Sequence, residues 1–453
     1  MDKMNIYNKM PLLMQNLACY YEGSKIRKYR YGKEFWDLLH EYEERKQWSY
    51  EQLCSFRDAR LRLMVKHCYE TVPYYKRLFD KLGVDYRTIR TLDDLKLLPV
   101  LTKKIVKENI CDFVSGAVPR NKLVVSHTSG TTGSGFRFYT TREAISEQWA
   151  VWWRYRRNLG IKFNTWCALF GGKSVVPITQ TSPPFWRYNR PCAQVYFSNY
   201  HINEENLKWY VAELARKELK WIHGYPSAIN LIAEYVVSNN IELPYKVKFV
   251  TTGAENLMPI QESNIRKAFG VIPYQHYGLA EGVANFSQDE NREMYVDEDF
   301  AAVEFLQRED GSCEIIGTTL TNFAMPLLRY QTGDIASFEV TDKGRKILEL
   351  NGRNEDYVVL PNGTKIGRLD HIFKDMVNVI EAQIIQEKKD EVVLRVVRNN
   401  HYSEKDERML RKEASQRMRQ VNIVIEYVDR IPRTSSGKLK FVVSKVQEER
   451  VYG

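Results

Sequence analysis

Hydrophobic and polar positions follow a helical period through most of the first 120 residues. In the stretch Glu51–Thr71, apolar side chains recur at about every third or fourth position, which is typical of a helix with one buried face. Ser49 precedes this stretch and Gln52 follows three residues later, a pair that predicts a capping box at the helix start. Prolines in TVPYYKRLF and KLLPVLTKK predict that helices end there and new ones begin. Residues 1–120 are therefore expected to be mainly helical.

The pattern changes after about residue 122, where short apolar runs replace the helical period. The runs KLVVSH, WCALFGG, AQVYFS, KWIHGY and VKFVTTG have the length and composition of buried strands. Segments with a helical pattern, 204–219 and 226–239, separate several of them. This alternation predicts an α/β arrangement with substantial parallel sheet.

Strands become more frequent beyond about residue 290, and turn residues separate them. REDGS and TDKGR have the composition of hairpin turns, so a β-rich subdomain is expected. The polar, turn-rich sequence NGRNEDYVVLPNG, residues 351–363, predicts a domain boundary. A strand–helix–strand pattern follows it. We therefore predict an α/β protein with a large N-terminal domain, residues 1–351, and a small mobile α+β lid, residues 352–453.

The composition is that of a globular chain, with 43% hydrophobic and 27% charged residues among 453. The seven cysteines are scattered without a C-x-x-C pair, which indicates neither a zinc site nor a disulfide framework. No run approaches the roughly 18 uncharged apolar residues of a membrane span, and the N-terminus lacks a signal-peptide core. A cytoplasmic protein without an integral membrane segment is therefore expected.

The net charge of +10 favours anionic partners, among them nucleotides, coenzyme A, nucleic acid and anionic membrane surfaces. The run KIRKYRYGK, residues 25–33, mixes basic residues with two tyrosines. No repeated aromatic-basic motif of a nucleic-acid-binding module accompanies it, so nucleic acid is not expected as a partner. A solvated basic surface, or the edge of a peripheral membrane contact, is the favoured interpretation.

Residues 126–141, SHTSGTTGSGFRFYTT, are the first stretch that suggests chemistry. Glycines let backbone amides turn toward a phosphate without obstruction, and hydroxyl groups supply further donors. No Gly-Lys-Ser/Thr follows, so this is not a Walker loop. A flexible surface turn after a strand is the competing interpretation.

Four further stretches carry candidate ligands. YQHYGLAEG places Glu281 beyond a glycine turn beside Tyr277, where a carboxylate could hold magnesium against a triphosphate. RYQTGDIA places Asp334 after a Thr-Gly turn, where it suits the vicinal hydroxyls of a ribose. GRNED supplies Arg353, and IPRTSSGKLKF supplies Lys438 on a loop rich in serine and glycine. Taken singly, each acid is more simply a surface or hairpin carboxylate, and the lysine is more simply solvated.

Taken together and in this order, the motifs resemble those of the adenylate-forming (AMP-binding) superfamily, which includes acyl-CoA synthetases, adenylation domains and luciferases. The matching sequences are TSGTTG (128–133), TTGAENL (251–257), YGLAE (277–281), YQTGD (330–334), GRNED (352–356) and RTSSGK (433–438). The chain is similar in particular to the phenylacetate-CoA ligase family and its CapK-like branch in capsular polysaccharide biosynthesis. The sequences that carry this closer likeness are LLMQNLACYYEG, RYGKEFW, VPYYKRLF, LLPVLTK, HTSGTTGSG and IHGYPSAI.

The resemblance implies a site for ATP and magnesium. The nucleotide would be bound by Thr128, Ser129, Gly130, Thr131, Thr132 and Gly133 at the β- and γ-phosphates, by Gly253, Ala254, Glu255, Tyr277 and Gly278 at the adenine, and by Asp334 and Arg353 at the ribose. Glu281 would ligate magnesium, and Lys438 would bridge the acid's carboxylate and the α-phosphate. Thr132, Glu281 and Lys438 are the implied catalytic residues, and Glu355 is the implied hinge of the lid. The acid pocket would be lined by His223, Tyr225, Pro226, Ala254, Leu279 and Ala280.

The implied reaction converts a small-molecule carboxylic acid and ATP into an acyl-adenylate and pyrophosphate. Transfer to a thiol would follow, and coenzyme A is the expected acceptor. The alternative acceptor is an amine or hydroxyl on a sugar, in surface polysaccharide biosynthesis. A catalytically inactive nucleotide-binding homologue is a further alternative. Many relatives carry a lysine at the end of the phosphate loop, where this chain has Ser134–Arg137. The phenylacetate-CoA ligase branch lacks that lysine too.

Overall fold

The computed structural model describes residues 3–127, 137–173, 175–308, 312–353, 358–361, 365–366, 369–373, 376, 378–418, 421–433 and 439–446. The α-helices in these ranges are α1 (Lys3–Asn8), α2 (Leu12–Arg30), α3 (Lys33–Glu44), α4 (Tyr50–Thr71), α5 (Pro73–Leu82), α6 (Lys103–Glu108), α7 (Arg142–Asn158), α8 (Glu204–Lys217), α9 (Pro226–Ser238), α10 (Pro259–Phe269) and α11 (Glu404–Arg417). The strands of the same ranges are β1 (Val124–His127), β2 (Arg137–Thr140), β3 (Cys167–Phe170), β4 (Trp186–Asn189), β5 (Gln194–Phe197), β6 (Trp221–Gly224), β7 (Phe249–Gly253), β8 (Tyr274–Gly278), β9 (Asn285–Gln288), β10 (Met294–Val296), β11 (Ala301–Gln307), β12 (Cys313–Thr319), β13 (Tyr330–Thr341), β14 (Gly344–Arg353), β15 (Val358–Val359), β16 (Lys365–Ile366), β17 (Val379–Lys388), β18 (Glu391–Arg398), β19 (Asn422–Tyr427) and β20 (Val442–Ser444).

The chain divides by its contacts into two compact units. Unit one consists of Met1–Cys19, Trp166–Tyr274 and Asn351–Gly453, and unit two consists of Tyr20–Thr165 and Gln275–Leu350. Each unit combines helices with β-sheet, which confirms the predicted α/β class. The division by contacts also breaks the chain between Leu350 and Asn351, but it groups residues 351–453 with parts of the first 274 residues. The predicted division into residues 1–351 and 352–453 stays a prediction.

In unit two, helix α4 begins where the sequence predicts it. The Ser49 hydroxyl accepts the Gln52 backbone N–H at 3.2 Å, and the Gln52 side chain accepts the Ser49 N–H at 2.8 Å. Two backbone N–H groups at the helix start, which have no partner within the helix, are thereby satisfied. Leu61 and Met64 on the buried face of α4 pack in one apolar cluster with Phe79 of α5. The predicted helical opening is confirmed.

The larger sheet of unit two contains its strands in the order β11-β12-β13-β14-β10-β9-β8. The pairs β11–β12, β12–β13, β10–β14, β9–β10 and β8–β9 are antiparallel. The predicted hairpin turns therefore lie between neighbouring strands of a β-rich region. Strands β1 and β2 form a separate antiparallel pair in which His127 lies opposite Arg137. The glycine- and threonine-rich motif lies between these two strands in the sequence, and residues 128–136 are outside the described part of the chain.

Unit one contains the predicted parallel sheet. Strand β3 is parallel to β5 and β6, and β6 is parallel to β7. Helices α8 and α9 end at Lys217 and Ser238, slightly before the predicted ends at 219 and 239. The physical reason at α8 is that Glu218 adopts a left-handed conformation with φ 48°, which ends the helix.

One strand of unit one, β4, escapes the sequence pattern. It pairs antiparallel with β5 and contains Arg187 and Asn189, which are 1% and 0% exposed. A charged and an amide side chain at alternate positions normally indicate a solvent-facing surface. Here both side chains are buried, so the polar residues at alternate positions gave no indication of a buried strand.

The C-terminal part of unit one forms the predicted α+β lid. Its sheet has the strand order β19-β18-β17-β20, in which β17 and β18 are antiparallel and β18–β19 and β17–β20 are parallel. Ile384 of β17, Leu394 of β18 and Leu410 of α11 are fully buried in one apolar cluster. The lid therefore has a core of its own.

The structure bears on two expectations from the composition, one about membrane-spanning helices and one about the cysteines. Among the described residues, no helix combines the length and the apolar composition that a membrane span requires. All seven cysteines are free thiols, and three of them, Cys19, Cys68 and Cys167, are buried. Buried free cysteines act as small apolar side chains.

Candidate active site

In unit two the structure joins two of the predicted motifs. The Tyr277 hydroxyl donates a hydrogen bond of 2.7 Å to Oδ2 of Asp334. Burial and the negative charge of Asp334 raise the pKa of Tyr277 well above its usual range. Tyr277 is therefore a neutral donor at physiological pH, and it orients the carboxylate that the sequence predicts for the ribose.

Asp334 lies within strand β13, at an irregularity in its pairing with β12, and not in the turn that the sequence predicts. The Asp334 backbone N–H donates to the Thr332 hydroxyl at 3.1 Å, and that hydroxyl donates to the carbonyl of Ile315 in β12 at 2.8 Å. This irregular part of β13 thus has a defined position relative to β12. Asp334 therefore receives its orientation from its own strand as well as from Tyr277.

The ring of Tyr277 packs on Phe286 of β9. The ring centroids are 4.7 Å apart and the planes are inclined by 28°, which is a stacked arrangement. Phe286 covers one face of the tyrosine ring. A nucleobase that stacks on Tyr277 must therefore use the opposite face.

Glu281 lies in the turn that follows β8 and is only 8% exposed. The carbonyl of Leu279 in this turn accepts two hydrogen bonds, from the Gly282 backbone N–H at 3.0 Å and from Nε2 of Gln148 at 2.8 Å. Helix α7 therefore helps to fix the turn. A carboxylate at such a depth requires hydrogen bonds or a cation, and its oxygens are the donor type that magnesium prefers.

Gly278 is required because neighbouring side chains leave no room for a Cβ atom at this position. A Cβ atom at this position would stand 2.8 Å from Oδ1 of Asn285 and 3.0 Å from Cε1 of His276. The Asn285 side chain is fixed there, because its Oδ1 accepts from Nε1 of Trp152 at 2.8 Å and its Nδ2 donates to Asp297 at 2.5 Å. The backbone of the YGLAE motif thus rests on a buried polar network.

Sequence reasoning missed that network. Asp297 also accepts a hydrogen bond of 2.7 Å from Arg154, and Arg154 donates to Asp299 at 2.7 Å as well. Asp297 and Asp299 lie in MYVDEDF, where acids interrupt an apolar run. That interruption was the available signal, because acids inside a buried segment must be paired.

In unit one, the predicted adenine turn follows β7. Ala254 adopts a left-handed conformation with φ 67°, and the next residue, Glu255, turns its carboxylate to the start of α9. One oxygen accepts the Ser227 backbone N–H at 3.3 Å. The other accepts the Leu439 N–H at 2.8 Å. Burial raises the pKa of Glu255, while the hydrogen bonds of Ser227 and the charge of Arg433 lower it.

Leu439 belongs to the segment that ends the Lys438 loop. Arg433 and Leu439 form an isolated antiparallel β-bridge, so the two ends of the loop lie side by side. Arg433 also forms an ion pair with Glu381 of β17, whose side chain is 2% exposed. Burial raises the pKa of Glu381, and the guanidinium of Arg433 lowers it.

The residues predicted for the acid pocket lie at the ends of β6, β7 and β8 or directly after them. Nδ1 of His223 is 2.9 Å from the Thr251 hydroxyl and 3.1 Å from the Thr251 carbonyl, so this histidine joins β6 to β7. Tyr225 is 8% exposed, and burial raises the pKa of its hydroxyl far above the usual range. Pro226 is the buried first residue of α9.

Gly224, between His223 and Tyr225, is required by sterics. Its φ is 153°, and a Cβ atom would stand 2.1 Å from the carbonyl oxygen of Phe170. The same carbonyl accepts the Tyr225 N–H at 2.9 Å. The backbone at the end of β6 therefore lies directly against the end of β3, and this contact fixes the position of Tyr225. Of the other predicted pocket residues, Ala254 follows β7 in unit one, and Leu279 and Ala280 lie in unit two.

Several predicted site residues lie outside the described part of the chain. They are Thr128, Ser129, Gly130, Thr131, Thr132, Gly133, Glu355 and Lys438. For Arg353 the structure describes the backbone, which ends β14. The roles of these residues stay predictions.

Comparison with known proteins gives a consistent set of relatives. Residues 358–445 match the family model described as the CapK C-terminal domain. The chain is 27% identical to Protein CapK of Staphylococcus aureus over 459 residues, which is 98% of this chain and 99% of that one. It is 26% identical to the phenylacetate-coenzyme A ligase of Thermus thermophilus over 341 residues, or 68% of this chain and 72% of that one.

A solved structure of a 2-hydroxyisobutyryl-CoA ligase in the postadenylation state, in complex with R3-HIB-AMP, is similar in fold. The TM-score is 0.66 with 18% identity, and the match covers 86% of this chain and 89% of that chain. The predicted fold class is therefore confirmed. The likeness to CapK and to the phenylacetate-CoA ligases that the motifs indicate is confirmed as well.

Proposed function

We propose that this chain activates a carboxylic acid with ATP. The premise is that it belongs to the adenylate-forming superfamily and, within it, to the phenylacetate-CoA ligase family and its CapK-like branch. A carboxylate oxygen of the acid would attack the α-phosphorus of ATP. An acyl–phosphate bond forms, the bond to the β-phosphate oxygen breaks, and pyrophosphate leaves. The product is an acyl-adenylate, which is a much better electrophile than the acid.

The hydrogen bond between Leu439 and Glu255 carries this proposal. Leu439 directly follows Lys438 in the chain, and its N–H lies 2.8 Å from the carboxylate of Glu255 in the predicted adenine turn. On this proposal the lysine that precedes Leu439 in the chain would contact a nucleotide bound at the turn. Its ammonium group would stabilise the charge that develops as pyrophosphate departs, more than it stabilises the separated reactants.

The contact of Tyr277 with Asp334 supports the ribose part of the proposed site. Asp334 would accept hydrogen bonds from the two ribose hydroxyls while it accepts one from Tyr277. The free face of the Tyr277 ring would then stack on the adenine, because Phe286 occupies the other face. One residue would thus contact the base and orient the ribose ligand.

Glu281 is the residue in this proposal that would hold magnesium. Its buried carboxylate lies four residues after Tyr277 in a turn fixed from α7, and an anionic oxygen donor fits a hard cation. When bound, magnesium would neutralise charge on the phosphates. The protein's part is to hold the carboxylate of Glu281 in place.

The second step would transfer the acyl group to an acceptor. The leading candidate is the thiol of coenzyme A, as in the phenylacetate-coenzyme A ligase that the chain resembles. ATP and coenzyme A as substrates would place the reaction in the cytoplasm. Rotation of the lid about Glu355 would open the acceptor face after adenylation.

One observation favours the second candidate, a sugar amine or hydroxyl. The family model that matches the lid is that of CapK, and the likeness to CapK covers 98% of this chain, against 68% for the phenylacetate-coenzyme A ligase. Because the lid would present the acceptor face, a CapK-like lid supports an acceptor other than coenzyme A. An inactive nucleotide-binding homologue is the outcome if no adenylate forms.

The test is ATP–pyrophosphate exchange across aryl acids, short fatty acids, amino acids and uronic acids. We expect exchange with one class and a loss of about 10²-fold or more in Lys438→Ala, with ATP binding and fold retained. Lys440→Ala is the matched control, since Lys440 lies two residues away, and its exchange should stay close to that of the parent. Near-normal exchange in Lys438→Ala would refute the role of the loop.

The acceptor is tested separately on the pre-formed adenylate. Coenzyme A and a set of amino sugars would be added, and the products would be identified by mass. A thioester supports the leading candidate, and an amide or ester to the sugar supports the second. Silence with every acid in protein that binds ATP would support the inactive homologue.

A further inference from the structure

Helix α2 (Leu12–Arg30) presents several large apolar residues to solvent, while its buried side contains the polar Gln15 beside Cys19. Leu13 is 73% exposed, Leu17 is 59% exposed and Tyr21 is 61% exposed, whereas Gln15 on the opposite side is 3% exposed. An ordinary surface helix has the reverse arrangement, with its apolar stripe facing the core. The exposed stripe of α2 is therefore a feature that needs a physical cause.

The buried side of α2 is held by polar contacts. The Gln15 side-chain oxygen accepts hydrogen bonds from the guanidinium of Arg187, at 2.7 Å from Nε, and its amide donates to the carbonyl of Met10 at 3.0 Å. Arg187 is 1% exposed. Rotating α2 to bury its leucines would leave this buried guanidinium without Gln15, which is costly. The fold thus keeps the apolar stripe outside.

The stripe and the basic end of the helix share one face. Leu13, Leu17, Tyr20 and Tyr21 are spaced i, i+4, i+7 and i+8, which places them on one side of an α-helix. The same side continues to Lys28, and Lys25 lies beside it with its Nζ 4.1 Å from the centroid of the Tyr21 ring.

Between Leu12 and Arg30 the helix has four basic residues and one acid, Glu22, which pairs with Lys25 at 3.2 Å. The face is apolar at its N-terminal end and cationic at its C-terminal end.

We propose that this face of α2 binds the surface of an anionic lipid bilayer. Leucine and tyrosine side chains would enter the boundary between headgroups and acyl chains, and Lys25 and Lys28 would contact the anionic headgroups. The net charge of +10 adds long-range attraction. This inference does not depend on the proposed adenylation activity.

Charge favours a bilayer over a second copy of the chain. An isologous pairing of two α2 faces in antiparallel orientation would set the lysines of one copy against the leucines of the other, and that desolvates the lysines without a counter-charge. A parallel pairing would bring like charges together. An anionic bilayer avoids both costs, because it offers apolar depth and negative charge to the same face.

The test is co-flotation of the full chain with phosphatidylcholine vesicles, with and without phosphatidylglycerol. We expect binding to the anionic vesicles, a loss of about tenfold or more in Leu13→Ser/Leu17→Ser, and loss of the preference for anionic vesicles in Lys25→Gln/Lys28→Gln. The matched control is Leu63→Ser/Val340→Ser, which removes two other exposed apolar side chains, 63% and 65% exposed. It should float like the parent.

Three results would overturn the proposal. The first is equal flotation of the parent and of Leu13→Ser/Leu17→Ser. The second is equal binding of the parent to neutral and anionic vesicles. The third is an absence of flotation together with a dimer in sedimentation velocity that Leu13→Ser/Leu17→Ser converts to a monomer, which would assign the face to a second copy. Circular dichroism of each variant checks the fold, and pyrophosphate exchange measured in parallel reports the adenylation proposal independently.

Discussion

A buried ion pair supports the base of the loop that carries Lys438, and its removal tests how that base is held against strand β17 of the lid. The side chains of Arg433 and Glu381 are 14% and 2% exposed. The charge of Arg433 also lowers the pKa of a second carboxyl group, that of Glu255, which accepts the Leu439 N–H. One guanidinium therefore compensates two carboxylates at this point of unit one.

Arg433→Met keeps a side chain of comparable length but leaves Glu381 buried without its cation. Removing one partner of a buried pair costs about 3–5 kcal/mol. With about 1.4 kcal/mol for each factor of ten, the equilibrium for local opening of the loop base from β17 shifts by roughly a hundred- to a few-thousand-fold. We expect local opening of strands β17 and β18, which lie next to the ion pair, to become measurable.

The loss of stability in Arg433→Met depends on pH in a defined direction. Burial raises the pKa of Glu381 and of Glu255 in the folded protein even beside Arg433, and without the guanidinium both pKa values rise further. A carboxyl group with a raised pKa favours the folded state when it is protonated and loses that contribution as pH rises through its folded pKa. The deficit of Arg433→Met is therefore largest near pH 8. It narrows as the pH falls toward the ordinary glutamate value of about 4.3.

Amide hydrogen exchange of β17 and β18, measured at pH 8 and pH 5 and corrected for intrinsic rates, is the assay. Arg430→Met is the matched control, since Arg430 is an exposed arginine three residues away, and it should exchange like the parent. Glu381→Gln/Arg433→Met replaces the pair with neutral groups and should recover most of the protection at pH 8. Parent-like exchange in Arg433→Met, or a deficit that grows toward pH 5, would refute the reasoning.

Two further predictions concern the proposed nucleotide site. Glu281→Gln should raise the magnesium concentration for half-maximal pyrophosphate exchange by about tenfold, because it removes the anionic donor; an unchanged magnesium titration would place the ion elsewhere. Tyr277→Phe deletes a hydrogen bond of 2.7 Å to Asp334, worth about 1.5–3 kcal/mol with a charged acceptor, so KM for ATP should rise roughly tenfold to a hundredfold. Tyr295→Phe, which removes a tyrosine–carboxylate contact of 3.0 Å to Glu293 in the same unit, is the control, and an equal effect of both variants would contradict the assigned role.

Features of the fold that depend on neighbours in sequence could be predicted. The capping box of Ser49 and Gln52 needs two residues three apart, and the hairpins after β11 and β13 need only turn residues between apolar runs. The parallel strands of unit one followed from short apolar runs separated by helical segments. In each case the free energy is set by local geometry and by burial of a repeating pattern.

Features that depend on distant partners could not be predicted. Arg187 reads as a surface residue until its partner Gln15 is known, and the two are separated by 172 positions. The same is true of Arg154 and Asp299, which are 145 positions apart. A buried charge is stable only beside a specific counter-group, and sequence pattern does not say which distant residue supplies it.

The candidate site combines both kinds of information. Tyr277 and Asp334 are 57 positions apart, and Glu255 and Leu439 are 184 positions apart; only a resemblance to a family paired these motifs in advance. Residues outside the motifs nevertheless determine where the motifs stand. Asn285 excludes any side chain at Gly278, so the path of the YGLAE backbone depends on a polar network that no motif includes. Variation in that network should change nucleotide binding in relatives whose motifs are identical, because the motif residues take their positions from it.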